Sequence, residues 1–328
     1  MNSTSSTKNL TIIHTTNISR PNVQAQDNSI SWSIIPISTL LILVSGLLLT
    51  LPVLYLLLTA RPLRTSFNIY VSNLVGCDLA LFVLHYPLTL FIDLHGAQTW
   101  ALGYTACTLK LYTRNVLEAV AINIHVCIAV NRVWAVVHPI SYRNRHSAKV
   151  ATFTCLTVWI YVHASLLPLL ILDALYYRSP IGGCNINFPA QYGYFWFTNM
   201  VFFTVPWTRS SNASGEGDQQ CIEMIRFVVT AGPLRRTKRR KKIGRRNSYW
   251  VLGLLTVLTT ICWVPTYVMF IMVMTKKAFI PAAFRLAVIV LFNMQAALDP
   301  LLFVLALKPL RLAVFRLLRI GRQSRGPG

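Results

Sequence analysis

From residue 34 onward the chain alternates long apolar runs with short polar or basic stretches. Runs at roughly 34–59, 67–92, 107–131, 150–172, 249–274 and 283–306 are each rich in Leu, Ile, Val and Phe. Each is long enough for the ~20 residues of helix that cross a bilayer core. A further run, 191–207, is weaker. As a helix it rises only about 25 Å, short of the roughly 30 Å core. The pattern predicts an all-α membrane protein, a bundle of seven transmembrane helices. The closing stretch "LKPLRLAVFRLLRIGR" puts Leu310, Leu312, Val314, Phe315 and Leu318 toward one face and Arg311, Arg316, Arg319 and Arg322 toward the other. That periodicity predicts an amphipathic helix lying on a membrane surface. Three regions follow: a polar tail over 1–33, a seven-span domain over 34–307, and a basic C-terminal segment over 308–328.

Composition agrees with the pattern. Of 328 residues, 54% are hydrophobic and 12% charged, whereas soluble domains are about a quarter charged. The net charge is +22. A strongly basic balance can signal nucleic-acid binding, but here the Lys and Arg alternate with apolar runs, and membrane topology accounts for them better. With the N-terminus outside, 23 of the 31 Lys and Arg fall in inner loops and the C-terminal segment. No nucleic-acid partner is expected. The tail carries the triplets Asn2-Ser-Thr, Asn9-Leu-Thr and Asn17-Ile-Ser, acceptors for glycans only if the tail is lumenal or extracellular. No short apolar core with a cleavage site precedes the first run, so that run reads as signal and anchor together. Of seven cysteines, only Cys107 and Cys184 flank runs on the outer side. One disulfide beside free buried thiols is expected.

Short motifs then narrow the class. "AVNRVWAVVHPISY" ends the third span, with Arg132 preceded by Asn131. "NLVGCDLAL" carries Asp78 in the second span, and "WALGYTAC" leads through Trp100 and Gly103 to Cys107. Trp159 stands in the fourth span. "CWVP" places Trp263 and Pro265 in the sixth, and "DPLLF" places Asp299, Pro300 and Phe303 in the seventh. In order and spacing these resemble the motifs of rhodopsin-like (class A) G-protein-coupled receptors, over about residues 34–320. The resemblance implies a plasma-membrane receptor, not an enzyme, that transduces an extracellular ligand to a heterotrimeric G protein.

The resemblance also implies roles. Cys107 and Cys184 would form the disulfide that fixes a loop over the binding cavity. Arg132 would meet the G protein, and Trp263 with Pro265 would form the switch of span six, where proline permits a kink. Asp78 would bind sodium in such receptors, with help from span three. Here Leu117 and Ala121 occupy the matching positions, and Asp299 is expected to share the cavity and a proton with Asp78. The ligand face of span three would carry Lys110, Arg114, Asn115 and Glu118. Arg114 and Glu118 are one turn apart and can pair. Arg114 stands where amine receptors keep an aspartate, which favours an anionic ligand: a small molecule, a lipid or a peptide. The basic run "GPLRRTKRRKKIGRRN" before span six would touch the G protein or anionic lipid.

Several positions depart from the pattern. Asn131 replaces an acid that would pair with the arginine, Phe303 replaces a tyrosine, and Thr50 replaces an asparagine. After Pro206, "TRSSNASGEGDQQ" interrupts span five. Either the helix ends early or the polar run is an insertion, and a mis-assembled gene gives the same letters. Two alternatives therefore stand beside the signalling receptor: a non-signalling or decoy seven-helix receptor and, more remotely, a transporter. Transporters tend to show paired halves, and no repeat is seen. No motif with metal-ligand spacing is present.

Overall fold

The computed structural model describes residues 32–95, 100–178, 183–187, 189–199, 258, 261–269, 271–272 and 280–323. The glycosylation triplets at Asn2, Asn9 and Asn17, the interrupted part of span five and the basic run 232–247 lie outside the described residues. Among the described residues, five helices are long and apolar enough to cross a membrane: Ile34–Thr59, Ser66–His95, Gly103–Arg132, Ala148–Tyr177 and Ala282–Ala306. They are spans one, two, three, four and seven. Helix Tyr192–Asn199 is the start of span five, and residues 261–269 are helical within span six.

Span one shows how sequence sets orientation. Its buried positions, Thr39, Ile42, Gly46, Thr50, Val53, Leu56 and Leu57, recur every three or four residues on one helix face. Leu41, Val44, Leu48, Leu51, Tyr55 and Leu58 are exposed on the rest, an apolar surface that suits lipid. Span two packs on spans one, three, four and seven, so its own core residues Val71, Leu74, Val75 and Phe82 are fully buried. Span seven packs chiefly on span one.

Local chemistry fixes the helix ends. The Thr65 hydroxyl accepts from the Asn68 amide to start span two, and the Ser147 hydroxyl does the same for Val150 at span four. Gly103, with φ of 80°, opens span three, and the Trp100 indole N–H donates to its carbonyl at 2.5 Å. A side chain at that φ would be strained. Span three therefore starts four residues before the expected 107, and its last turns continue to Val137.

Among the described residues, three spans contain a π-helical turn in the half nearer the disulfide: Leu81–His85, Thr113–Leu117 and Asp173–Tyr177. The turns of spans two and three pack against one another. Pro139 starts a short helix, Pro139–Arg145, in the loop after span three.

The C-terminal helix Lys308–Gln323 forms as expected, but its faces differ from the pattern. Leu310 is fully buried, and Ala313, Val314 and Leu317 pack on the bundle. Leu312 and Phe315, read from the sequence as part of one apolar face, are exposed. The helix has two apolar strips: one meets protein, and the other suits the membrane surface.

Gly46 of span one faces the ring of Phe82, and an added Cβ there would collide with it. Phe82 is fully buried and has nowhere to move. Gly46→Ala is expected to cost about 1–3 kcal/mol through overpacking, read as a lower Tm of purified protein. Adding Phe82→Leu should recover most of that loss; no recovery would mean the two spans do not meet at this point.

Candidate functional site

The outer end, the end that bears the disulfide, is tied down at several points. Cys107 and Cys184 are bonded, with Cα atoms 5.5 Å apart, joining the top of span three to the loop before span five. Beside them, fully buried Asp173 accepts from Arg178 Nε at 2.9 Å and from the Asn187 amide at 2.9 Å. Arg178 also donates to the Thr108 hydroxyl at 2.7 Å and lies over the Tyr104 ring. Tyr104 in turn donates to the Ala174 carbonyl. This charged knot holds the same loop to spans three and four without help from the disulfide. Nothing in the motif set pointed to it, because its partners are separated by 70 residues.

The expected ligand residues divide. Arg114 and Glu118 are 4.0 Å apart as an i, i+4 pair, and the Arg114 side chain is 51% exposed. Asn115 turns back to donate to the Leu111 carbonyl at 2.7 Å. Lys110 is buried, close enough to Asp93, Arg114 and Glu118 to interact with them electrostatically. Asp93 accepts from the Thr39 hydroxyl at 2.8 Å. Only Arg114 therefore presents a largely open charged group; Lys110 belongs to a buried charge cluster between spans two and three.

At the centre, His125 Nε2 of span three lies 3.1 Å from both carboxylate oxygens of Asp299 in span seven. Both side chains are nearly fully buried, and His125 Nδ1 meets its own helix at the Ala121 carbonyl. Asp299, expected to share the cavity and a proton with Asp78, lies near that acid and also has a histidine partner. His125 had a signal in the sequence, since it follows Leu117 and Ala121 at four-residue intervals on the same face. Asp78 is buried near Asp299, and its Oδ2 has no hydrogen-bond partner among the described residues. Thr50 Oγ1, a hydroxyl that can donate or accept, and Gln295 Oε1 are likewise buried without a hydrogen-bond partner among the described residues. A hard cation needs a shell of oxygens. The span-three side offers Leu117, Ala121 and an imidazole instead, so these residues do not fit the sodium site that the resemblance implied. Pro300 and Phe303 are buried in span seven below this pair. Trp263, two residues before Pro265, meets Phe292 edge-on, with centroids 4.9 Å apart.

At the inner end, Asn131 is buried and accepts from the Tyr142 hydroxyl at 3.0 Å. That bond docks the loop helix, and Tyr142 stacks on His146 with centroids 4.5 Å apart. Arg132 packs against span two. Its guanidinium lies 3.3 Å from the centroid of the Phe67 ring, and its Nε is buried without a partner among the described residues.

The profile of the 7 transmembrane receptor (rhodopsin family) matches residues 50–303. The chain belongs to that family. This receptor is 25% identical to melatonin receptor type 1B of Rattus norvegicus over 237 residues, 71% of this chain and 61% of that one. It is 25% identical to proteinase-activated receptor 3 of Rattus norvegicus, over 80% and 68% of the two chains. It is 23% identical to G-protein coupled receptor 183 of Rattus norvegicus, over 87% and 82%. The match spans about three fifths of the melatonin receptor's own length. These relatives are receptors, not enzymes, and the seven-helix fold and the disulfide follow the family.

Removing one member of the buried His125–Asp299 pair leaves the other unpaired, and such losses typically cost about 3–5 kcal/mol. His125→Leu and Asp299→Leu should each lower Tm strongly. The double variant should be less destabilised than the sum, giving a coupling of order 1–3 kcal/mol in a double-mutant cycle. Additive losses would show that the two side chains do not interact.

Proposed function

We propose that this receptor, N-terminus outside and C-terminus inside, binds an anionic ligand at the outer end of span three and passes the change to a heterotrimeric G protein at the inner end. The observation that carries the reading is that one helix bears both ends. Arg114 and Arg132 are separated by a rise of roughly 27 Å of helix, close to the bilayer core thickness of about 30 Å. Between them His125 bonds to span seven, so a tilt of span three is felt where Asp299, Pro300 and Phe303 sit. A ligand that binds one arrangement of these spans better shifts the population toward it. Arg114 supports the ligand class: its half-exposed guanidinium has five donors, and Glu118 at 4.0 Å engages it only weakly.

The inner end supports the second reading, a receptor that does not signal. Asn131 is committed to Tyr142, Arg132 lies against Phe67, and Phe303 is fully buried with no hydroxyl. G-protein activation by surface-positive protein separates the two. Asn131→Asp supplies the acid beside Arg132, a restraint of about 1 kcal/mol for a partly exposed pair. In neutral-lipid nanodiscs with purified G protein, basal nucleotide exchange should fall roughly fivefold at that energy. Exchange that is absent in the parent under these conditions supports the non-signalling reading.

The orientation has its own test. Asn2, Asn9 and Asn17 should carry glycans in cells, so glycosidase treatment should raise gel mobility in the parent and not in the triple Gln variant. A parent band that does not move places the tail on the wrong side.

A further inference from the structure

Between the first inner loop, Arg132 and the start of the C-terminal helix lies a cavity of about 180 Å³. Among the described residues its walls include Thr65, Phe67, Asn68, Arg132, Leu307 and Pro309. It is well above the roughly 10–15 Å³ that a single water needs. Arg132 is its one charged wall among those residues, and nothing there neutralises it. The neighbouring Asn131 carries no charge, and its carbonyl is taken by Tyr142. A guanidinium N–H buried without an acceptor is unfavourable, and the Phe67 ring offsets this only through its face. Thr65 uses its oxygen to accept from the Asn68 amide, so its own O–H proton is left to donate.

The surroundings repeat the sign. Arg61 and Arg64 flank Pro62 and Leu63 at one rim, and exposed Lys308 lies between Leu307 and Pro309 at the other. No Asp or Glu occurs in 60–68, 131–149 or 307–323. A small cavity with a forked cation inside, a hydroxyl donor and a basic rim without acids matches a phosphate better than a neutral group. Arginine pairs phosphate oxygens bidentately, and the rim would lie at the inner leaflet, where anionic lipids concentrate.

We propose that this cavity binds a phosphate group against Arg132, which supplies from outside the chain the negative charge that position 131 lacks. The shared chemistry is the phosphate group, borne by an inner-leaflet phosphoinositide headgroup or free in solution. The placement at the inner leaflet rests on the orientation proposed above; the site itself does not depend on whether the receptor signals.

The test is thermal unfolding of the full-length receptor without G protein. One arm compares phosphatidylcholine nanodiscs with and without a phosphatidylinositol phosphate, and a second adds inorganic phosphate to detergent-solubilised receptor. A rise in Tm of several degrees is expected from binding to the folded state. A rise in both arms assigns the site to the phosphate group itself, and a rise in the lipid arm alone assigns it to the headgroup. Arg132→Gln should abolish the rise. Asn131→Asp, which fills the role internally and leaves Arg132 in place, should abolish most of it even if Arg132→Gln folds poorly. Arg316→Gln, on the exposed face of the C-terminal helix, should keep it. No rise in either arm, or a loss with Arg316→Gln as large as with the other two, overturns the proposal. Topology is read separately by the glycan shift and signalling by nucleotide exchange, so their failure does not mimic this one.

Discussion

A bilayer offers no water to a polar side chain, and this protein answers that constraint by pairing across its helices. The contact between His125 and Asp299 is the main instance, because it joins the third span to the seventh at the level where neither can reach solvent. An unpaired carboxylate at that depth would be expensive. The packing around it follows: Phe303 is sealed below the pair, and Leu117 and Ala121 close the side of span three above it. The same rule governs the outer knot, where Asp173 has three separate groups holding its two oxygens and its helix end.

Polar groups left over mark where the constraint is not met from within. Asp78, Thr50 and Gln295 each keep a buried oxygen without a partner among the described residues. Arg132 keeps a donor. The three oxygens lie on spans one, two and seven, and the Arg132 donor lies near the far end of span three from the disulfide.

Much of the bundle was legible because helix length and lipid contact act on every residue of a span. The first span was expected at 34–59 and is Ile34–Thr59, and the seventh at 283–306 is Ala282–Ala306. The disulfide came from motif resemblance and is formed. Pairings between distant residues were not legible. Asp173 and Arg178 look like ordinary loop-edge charges until Thr108 and Asn187 are brought beside them. Lys110 reads as a ligand contact in a helix pattern, yet the neighbouring span covers it. Leu310 and Val314 were placed on one membrane-facing strip with Leu312 and Phe315, because periodicity gives a face its polarity, not its neighbour.

The π-helical turns in spans two, three and four have a consequence for how such a chain can change. Each turn holds an extra residue relative to α-helix, so it rotates the outer segment against the inner one. In span three the turn falls between Lys110 and Glu118, above His125 and Arg132. Length changes above it alter which way each side chain of that segment faces while leaving the register of His125 and Arg132 untouched. The two halves of one helix are thereby free to diverge at different rates, Cys107 and Lys110 above the turn and His125 with Arg132 below it.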